Sequence, residues 1–182
     1  QLEDGELCCL VETYPAKHDT YEDYLKTLKI AYLYGKTVTL ANTHWPETNA
    51  LMLKNRRIGL SQTGVVQAFN KFGRRAMYEW CDNAYEHVKE LDEEYSDWLC
   101  IPRSVRTTSI KPSGTVSLLN GSTPGIHFPE DEYYIRRIRF AKDSQLIEPL
   151  REAGYKIEKD EYSPNTLCVE FPVKEPHFVK GK

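Results

Sequence analysis

Apolar and polar positions along this chain change period several times, and each change marks an element. Over residues 20–34 apolar and aromatic side chains recur at helical spacing (Tyr21, Tyr24, Leu25, Leu28, Ala31, Tyr32). Asp19 or Thr20 is placed to cap that helix and Gly35 to stop it. Pro46 with Glu47 beside it starts a second helix. Gly64 begins another helical stretch, which Gly73 breaks. Residues 74–94 form the longest helix, with Ala76, Trp80, Ala84, His87, Val88 and Leu91 along one face, and the acids of 92–97 read as a solvated helix end. A last helix covers 144–153 and ends at Gly154. Short strand-like runs lie between: 5–11, buried and entered through a turn; 57–61; the alternating run 104–110; 134–140; 155–159; and 166–171. Helices alternating with short strands predict an α/β fold, a barrel or a wound sheet. No repeat, low-complexity segment or linker divides the chain, so one domain is expected over 1–182.

Composition narrows the classes. The 182 residues suffice for the core of one domain, and 40% apolar with 28% charged residues suits a globular protein. A net charge of -3 gives no reason to expect a nucleic-acid or membrane partner, and no apolar run approaches bilayer length. Five scattered cysteines, Cys8, Cys9, Cys81, Cys100 and Cys168, include no CxxC pair and no zinc spacing, so no metal site is expected. The opening Gln1-Leu2-Glu3-Asp4 carries no signal peptide, and the expectation is a reduced, cytoplasmic protein. Gln1 is not an initiator methionine and the chain stops at Val179-Lys180-Gly181-Lys182 without a cap, so both ends read as cut from something longer.

The most informative stretch is Lys111-Pro112-Ser113-Gly114-Thr115-Val116-Ser117-Leu118-Leu119. A polar loop with one glycine and three hydroxyls joins a strand-like run to an apolar segment able to begin a helix. Successive backbone N–H groups there can converge on an anion, helped by the positive end of the helix, which makes a place to hold phosphate. The spacing is neither that of a P-loop nor that of a dinucleotide fingerprint.

Four blocks in register resemble one family. They are Gly5-Glu6-Leu7-Cys8 with Leu10-Val11-Glu12; Arg56-Arg57-Ile58-Gly59-Leu60-Ser61-Gln62-Thr63-Gly64; the Ser113 loop with Gly121-Ser122-Thr123-Pro124-Gly125-Ile126-His127; and the run from Tyr133 to Phe140. In this order they resemble the adenosylcobalamin-dependent (class II) ribonucleotide reductases, most closely the ribonucleoside-triphosphate type. The resemblance implies a ten-stranded α/β barrel of which this chain supplies the later part. It implies thiyl-radical reduction of ribonucleoside triphosphates for DNA precursor synthesis, with adenosylcobalamin as cofactor and thioredoxin as reductant. Cys8 matches one member of the reducing cysteine pair. Ser113, Gly114, Thr115, Val116 and Ser117 match the loop for the substrate phosphates. Cys9 stands where the family usually has a polar residue, and Cys81, Cys100, Cys168 and His127 receive no role.

The family's radical cysteine lies in an Asn-Pro-Cys-Gly-Glu loop that would fall just before Gln1. The chain is therefore expected to be a fragment, inactive alone and completed by the remaining segments of the reductase, as a split or intein-interrupted gene would give. Two other readings are a noncatalytic nucleotide-binding or assembly module derived from a reductase, and a diiron or anaerobic ribonucleotide reductase. Of the arginines in the Tyr133 block, Arg136, Arg137 and Arg139, alternation turns one or two to solvent, where pairing with acids accounts for them.

Overall fold

A computed structural model describes residues 2–175, 177 and 178; the chain ends Gln1 and 179–182, which read as cut, lie outside the described residues. The chain divides into two compact units, Gln1–Phe128 and Pro129–Lys182.

The first unit is built on a parallel pair of strands. β1 (Cys9–Thr13) pairs with β2 (Ile58–Gln62), with Cys9 opposite Ile58, Leu10 opposite Gly59 and Glu12 opposite Ser61. Parallel neighbours need a crossover, and helices α1 (Tyr21–Val38) and α2 (Pro46–Asn55) supply it. Thr20 caps α1 by accepting from the Asp23 N–H. The helix runs through Gly35 instead of stopping there. A Cβ on Gly35 would meet Val11 at 3.1 Å and Ile58 at 3.3 Å, so the glycine serves close packing of α1 on the strands and not a C-cap. After β2 come α3 (Val65–Phe72) and α4 (Arg74–Leu99), broken at Gly73 as expected, with α4 five residues longer than the sequence suggests.

Alternation splits the strands into two faces. Cys9, Val11, Ile58 and Leu60 pack against Tyr24, Leu28 and Tyr32 of α1 and Ala84, Val88, Leu91 and Tyr95 of α4. Gly59 and Leu10 lie on the opposite, open face, where Leu10 is 51% exposed. β1 is thus half-exposed and not the buried strand expected, because among the described residues only β2 pairs with it. The run 104–110 lies alongside β2: Arg106 and Thr107 carbonyls accept from Ile58 and Leu60, and Ser109 donates to the Leu60 carbonyl at 3.0 Å. Only Thr108 completes a parallel bridge, to Leu60, so the expected strand is present as an irregular third ribbon.

The acids at the end of α4 are not all solvated. Asp92 is 4% exposed and accepts from Lys36 Nζ at 2.6 Å, the Tyr32 hydroxyl at 2.8 Å and the Ser104 N–H at 2.9 Å. Lys36, fully buried, also reaches the Pro102 carbonyl and Ser104 Oγ. Burial pulls the Lys36 ammonium below its usual pKa, and Asp92 opposes that pull. A buried charge persists only when paired, which is why this acid turns inward while Glu93 pairs with Arg103 outside.

The second unit is an antiparallel sheet in the order β3 (Tyr133–Ala141), β5 (Thr166–Lys174), β4 (Lys156–Lys159), with the short helix α5 (Ile147–Glu152). Its arginines pair with acids, Arg137 with Glu158 at 2.8 Å and Arg139 with Asp160 at 2.7 Å, while Arg136 lies over the Tyr134 ring. Five strands in two small sheets do not by themselves close a barrel. Among the described residues no helix is long and apolar enough to cross a membrane.

Candidate functional site

The segment leading into β1 is pinned by Glu6. This buried carboxylate accepts from Arg57 Nε at 2.8 Å and Asn55 Nδ2 at 2.9 Å, and its other oxygen accepts from the Glu3 N–H at 2.9 Å. Burial alone raises the Glu6 pKa, but the bonds from Arg57, Glu3 and Asn55 and the Arg57 charge outweigh it and hold the carboxyl at about 2. A folded pKa below the unfolded one stabilises above the ordinary carboxylate range and loses that contribution as pH falls toward about 2. The denaturant midpoint of the chain is therefore expected to drop between pH 5 and pH 2, and Glu6→Gln to flatten the drop; equal slopes in both proteins would refute it.

Two residues on, Cys8 comes to rest on the open face. Its Sγ lies 3.2 Å from where a Cβ on Gly59 would stand, beside Leu10 and Ser109. The thiol is half-buried. Burial raises its pKa, the Arg57 guanidinium pulls it down and Glu6 pushes it up, with a net upward shift. Cys9 turns the other way and packs with Val11 against the helices. Cys81 lines a cavity of about 420 Å³ with Tyr24, Gln62 and Tyr85, Cys100 is an exposed left-handed cap of α4, and Cys168 is buried in the second unit.

The Ser113 loop is attached to the same face. Glu12, four residues beyond Cys8, has a carboxylate 6% exposed that pairs with Lys111 Nζ at 2.8 Å and accepts from the Thr63 hydroxyl. The Ser113 hydroxyl points to it without completing a well-aligned bond. Burial raises the Glu12 pKa, but Lys111, Thr63 and Ser113 bring it below the usual range. Cys8 precedes β1 by one residue, and four residues of extended chain, at ~3.3 Å each, would put about 13 Å between it and Glu12. The loop has buried feet, Ser113 and Ser117, and an exposed crown, Gly114 and Thr115. Ser113 takes a left-handed φ of 53°, the kind of turn that aims successive N–H groups to one side. Among the described residues nothing accepts from the N–H groups of Gly114, Thr115 or Val116.

Beyond the loop the structure departs from the expected α-helix. In its place stands a five-residue 3-10 helix, Val116–Asn120, too short for an appreciable dipole, so the anion-binding capacity rests on the loop's own N–H groups. The Tyr14 hydroxyl donates to the Val116 carbonyl at 3.2 Å. The second loop braces the first: a Cβ on Gly125 would sit 2.4 Å from the Lys111 carbonyl oxygen, and Gly125 holds φ at 50°. Its neighbour Thr123 accepts at its carbonyl from the Gly64 N–H at the start of α3. His127 is exposed and takes no part.

The motifs point to Cys8 and to residues 113–117 but not to Glu6, Glu12 and Lys111, the groups that fix them. A signal is present all the same: Glu12 stands an even number of strand positions from Cys8, and Lys111 opens the loop motif.

No protein-family model matches the chain. It is 56% identical over 180 residues to a probable adenosylcobalamin-dependent ribonucleoside-triphosphate reductase of Dictyostelium discoideum, covering 99% of this chain and 23% of that protein. It is 51% identical to the adenosylcobalamin-dependent ribonucleoside-triphosphate reductase of Euglena gracilis, covering 98% and 25%. The crystal structure of a B12-dependent (class II) ribonucleotide reductase superposes with a TM-score of 0.78 at 31% identity, over 98% of this chain and 29% of that one. Fold and sequence together define an α/β protein of the ribonucleotide reductase kind. The chain belongs to the adenosylcobalamin-dependent (class II) ribonucleotide reductase family, and it spans about a quarter of the length of the curated relatives it matches.

Proposed function

We propose that this chain is the later part of the catalytic barrel of a cytoplasmic ribonucleoside-triphosphate reductase, one catalytic domain over 1–182 that the remaining segments of the reductase complete to ten strands. In this reading residues 113–117 hold the substrate's phosphates and Cys8 faces its ribose. One observation carries it: Cys8, just ahead of β1, lies against Gly59 on the face where Leu10 is exposed, and Glu12 of β1 binds Lys111 at the root of the loop.

The chemistry asked of Cys8 is a two-electron reduction. The 2′-hydroxyl leaves as water, hydrogen takes its place, and the Cys8 thiol with a second cysteine outside this chain becomes a disulfide. Thioredoxin returns the dithiol by exchange. The upward shift of the Cys8 pKa keeps it a thiol at neutral pH, carrying the hydrogen it delivers. Adenosylcobalamin, which the relatives' names carry, supplies the initiating radical when bound. Among the described residues no cluster of His, Cys, Asp and Glu could hold a metal ion, and cobalt carried by the nitrogens of its own corrin ring needs none.

Gly114→Val tests the loop. A Cβ on Gly114 meets no atom within 4 Å, so the substitution leaves the fold alone and obstructs only a ligand. In the complete reductase the KM for a ribonucleoside triphosphate is expected to rise at least about tenfold, ~1.4 kcal/mol of lost binding. An unchanged KM removes the phosphate role from this loop.

A further inference from the structure

Around Glu12 several buried polar groups lack a completed hydrogen bond. Lys111 pairs with the carboxylate and Thr63 donates to it, yet Glu12 Oε2 completes no well-aligned hydrogen bond, and Ser113 Oγ, Ser61 Oγ and, further along the loop, Ser117 Oγ are buried without one. Ser61 stands directly opposite Glu12 in register. Buried hydroxyls left over in this way are costly unless a partner arrives, and the N–H groups of Gly114, Thr115 and Val116, at the exposed side of the loop, are open to the same partner. A polyanion would satisfy them. A carboxylate within the loop's own hydrogen-bonding network would repel that polyanion unless its charge were cancelled. Lys111 cancels it: its side chain is 19% exposed and its ammonium stands 2.8 Å from Glu12.

From this geometry, and resting on the phosphate role proposed for the loop, we propose that Glu12 and Lys111 are a positioning pair. Glu12 ties the loop to β1, the strand that Cys8 leads into, and Lys111 neutralises Glu12 so that the loop's N–H and O–H donors take the triphosphate. Lys111 serves the nucleotide indirectly and is not itself a phosphate ligand. The loop residues Ser113 and Lys111 come from one segment, Glu12 from another about a hundred positions earlier, so the pair also holds the sugar-side thiol and the phosphate-side loop in fixed relation.

The test is a charge cycle in the complete reductase: Lys111→Met, Glu12→Gln and the double variant. The readouts are KM and kcat for CTP, and the Kd for CTP by equilibrium dialysis without cobalamin. Lys111→Met leaves Glu12 unneutralised beside the phosphates. It is expected to raise KM and Kd at least about tenfold, with kcat within about threefold of the parent. Adding Glu12→Gln removes the repulsion, and the double variant is expected to bind CTP within about threefold of the parent. A double variant as weak as Lys111→Met overturns the proposal, because the ammonium would then act on the phosphate itself. An unaltered Lys111→Met overturns it too, because no neutralisation would be needed. If Lys111→Met does not fold, the double variant against the parent decides by the same criterion. Gly114→Val separates the two readings: if it weakens CTP binding while Lys111→Met does not, only the pair fails, and if it too binds CTP normally, the phosphate loop falls with the pair.

Discussion

Cys8→Ser is expected to abolish turnover of the complete reductase with thioredoxin while leaving its fold and its affinity for the nucleotide intact. Serine is nearly isosteric, so the packing against Gly59, Leu10 and Ser109 survives. What disappears is the capacity to become half of a disulfide, and without it the two electrons have no source. The parallel change Cys9→Ser serves as the internal control. Cys9 turns from the open face into the contact with α1 and α4, so its loss is expected to cost some stability and no more than about half the turnover, as is usual for a small packing change. The measurement is deoxyribonucleotide formed per minute with CTP binding followed in parallel. Full activity in Cys8→Ser, or loss of turnover in Cys9→Ser with CTP affinity unchanged, would transfer the redox role or remove it from this segment.

Asp92→Ala is expected to give the largest loss of stability. Lys36 would keep only the Pro102 carbonyl and Ser104 Oγ, and its buried ammonium would have no counter-charge. Stripping one partner from a buried pair costs about 3–5 kcal/mol. Against a total of about 5–15 kcal/mol that is enough to leave the first unit marginal or unfolded. The paired replacement Lys36→Met with Asp92→Leu is expected to recover most of the loss, since two apolar side chains of similar volume need no counter-charge. Urea midpoints of the three proteins decide it. A midpoint for Asp92→Ala within error of the parent would mean that the ammonium finds water, and that the pair is not a closed contact.

Local chemistry explains what was legible. Thr20 caps α1, Gly73 separates α3 from α4, and Pro46 opens α2, because capping and backbone freedom depend on nearest neighbours. Gly35 reads as a stop and is not one, for the opposite reason. Its lack of a Cβ is used by Val11 and Ile58, which are 24 and 23 residues away, and nothing within the helix reveals that. The acids at 92–97 depart from expectation in the same way: four carboxylates look alike along the sequence, and only the approach of Lys36 and Tyr32 from α1 selects Asp92 for burial.

The division is similar at the site. The family resemblance singles out Cys8, in preference to its neighbour, and assigns the stretch 113–117, whose glycine and hydroxyls mark it as a loop able to meet an anion. The sequence by itself determined these groups and the alternation that sends Cys8 and Cys9 to opposite faces. Only the tertiary structure decided that Glu12 would tie Lys111 to β1, that Ser113 would take its left-handed turn, and that the helix expected after the loop would shrink to a 3-10 turn. Each depends on where β1, β2 and the ribbon at 104–110 come to lie. Contacts between segments a hundred residues apart are fixed by packing and pairing of whole elements, and no local pattern encodes them.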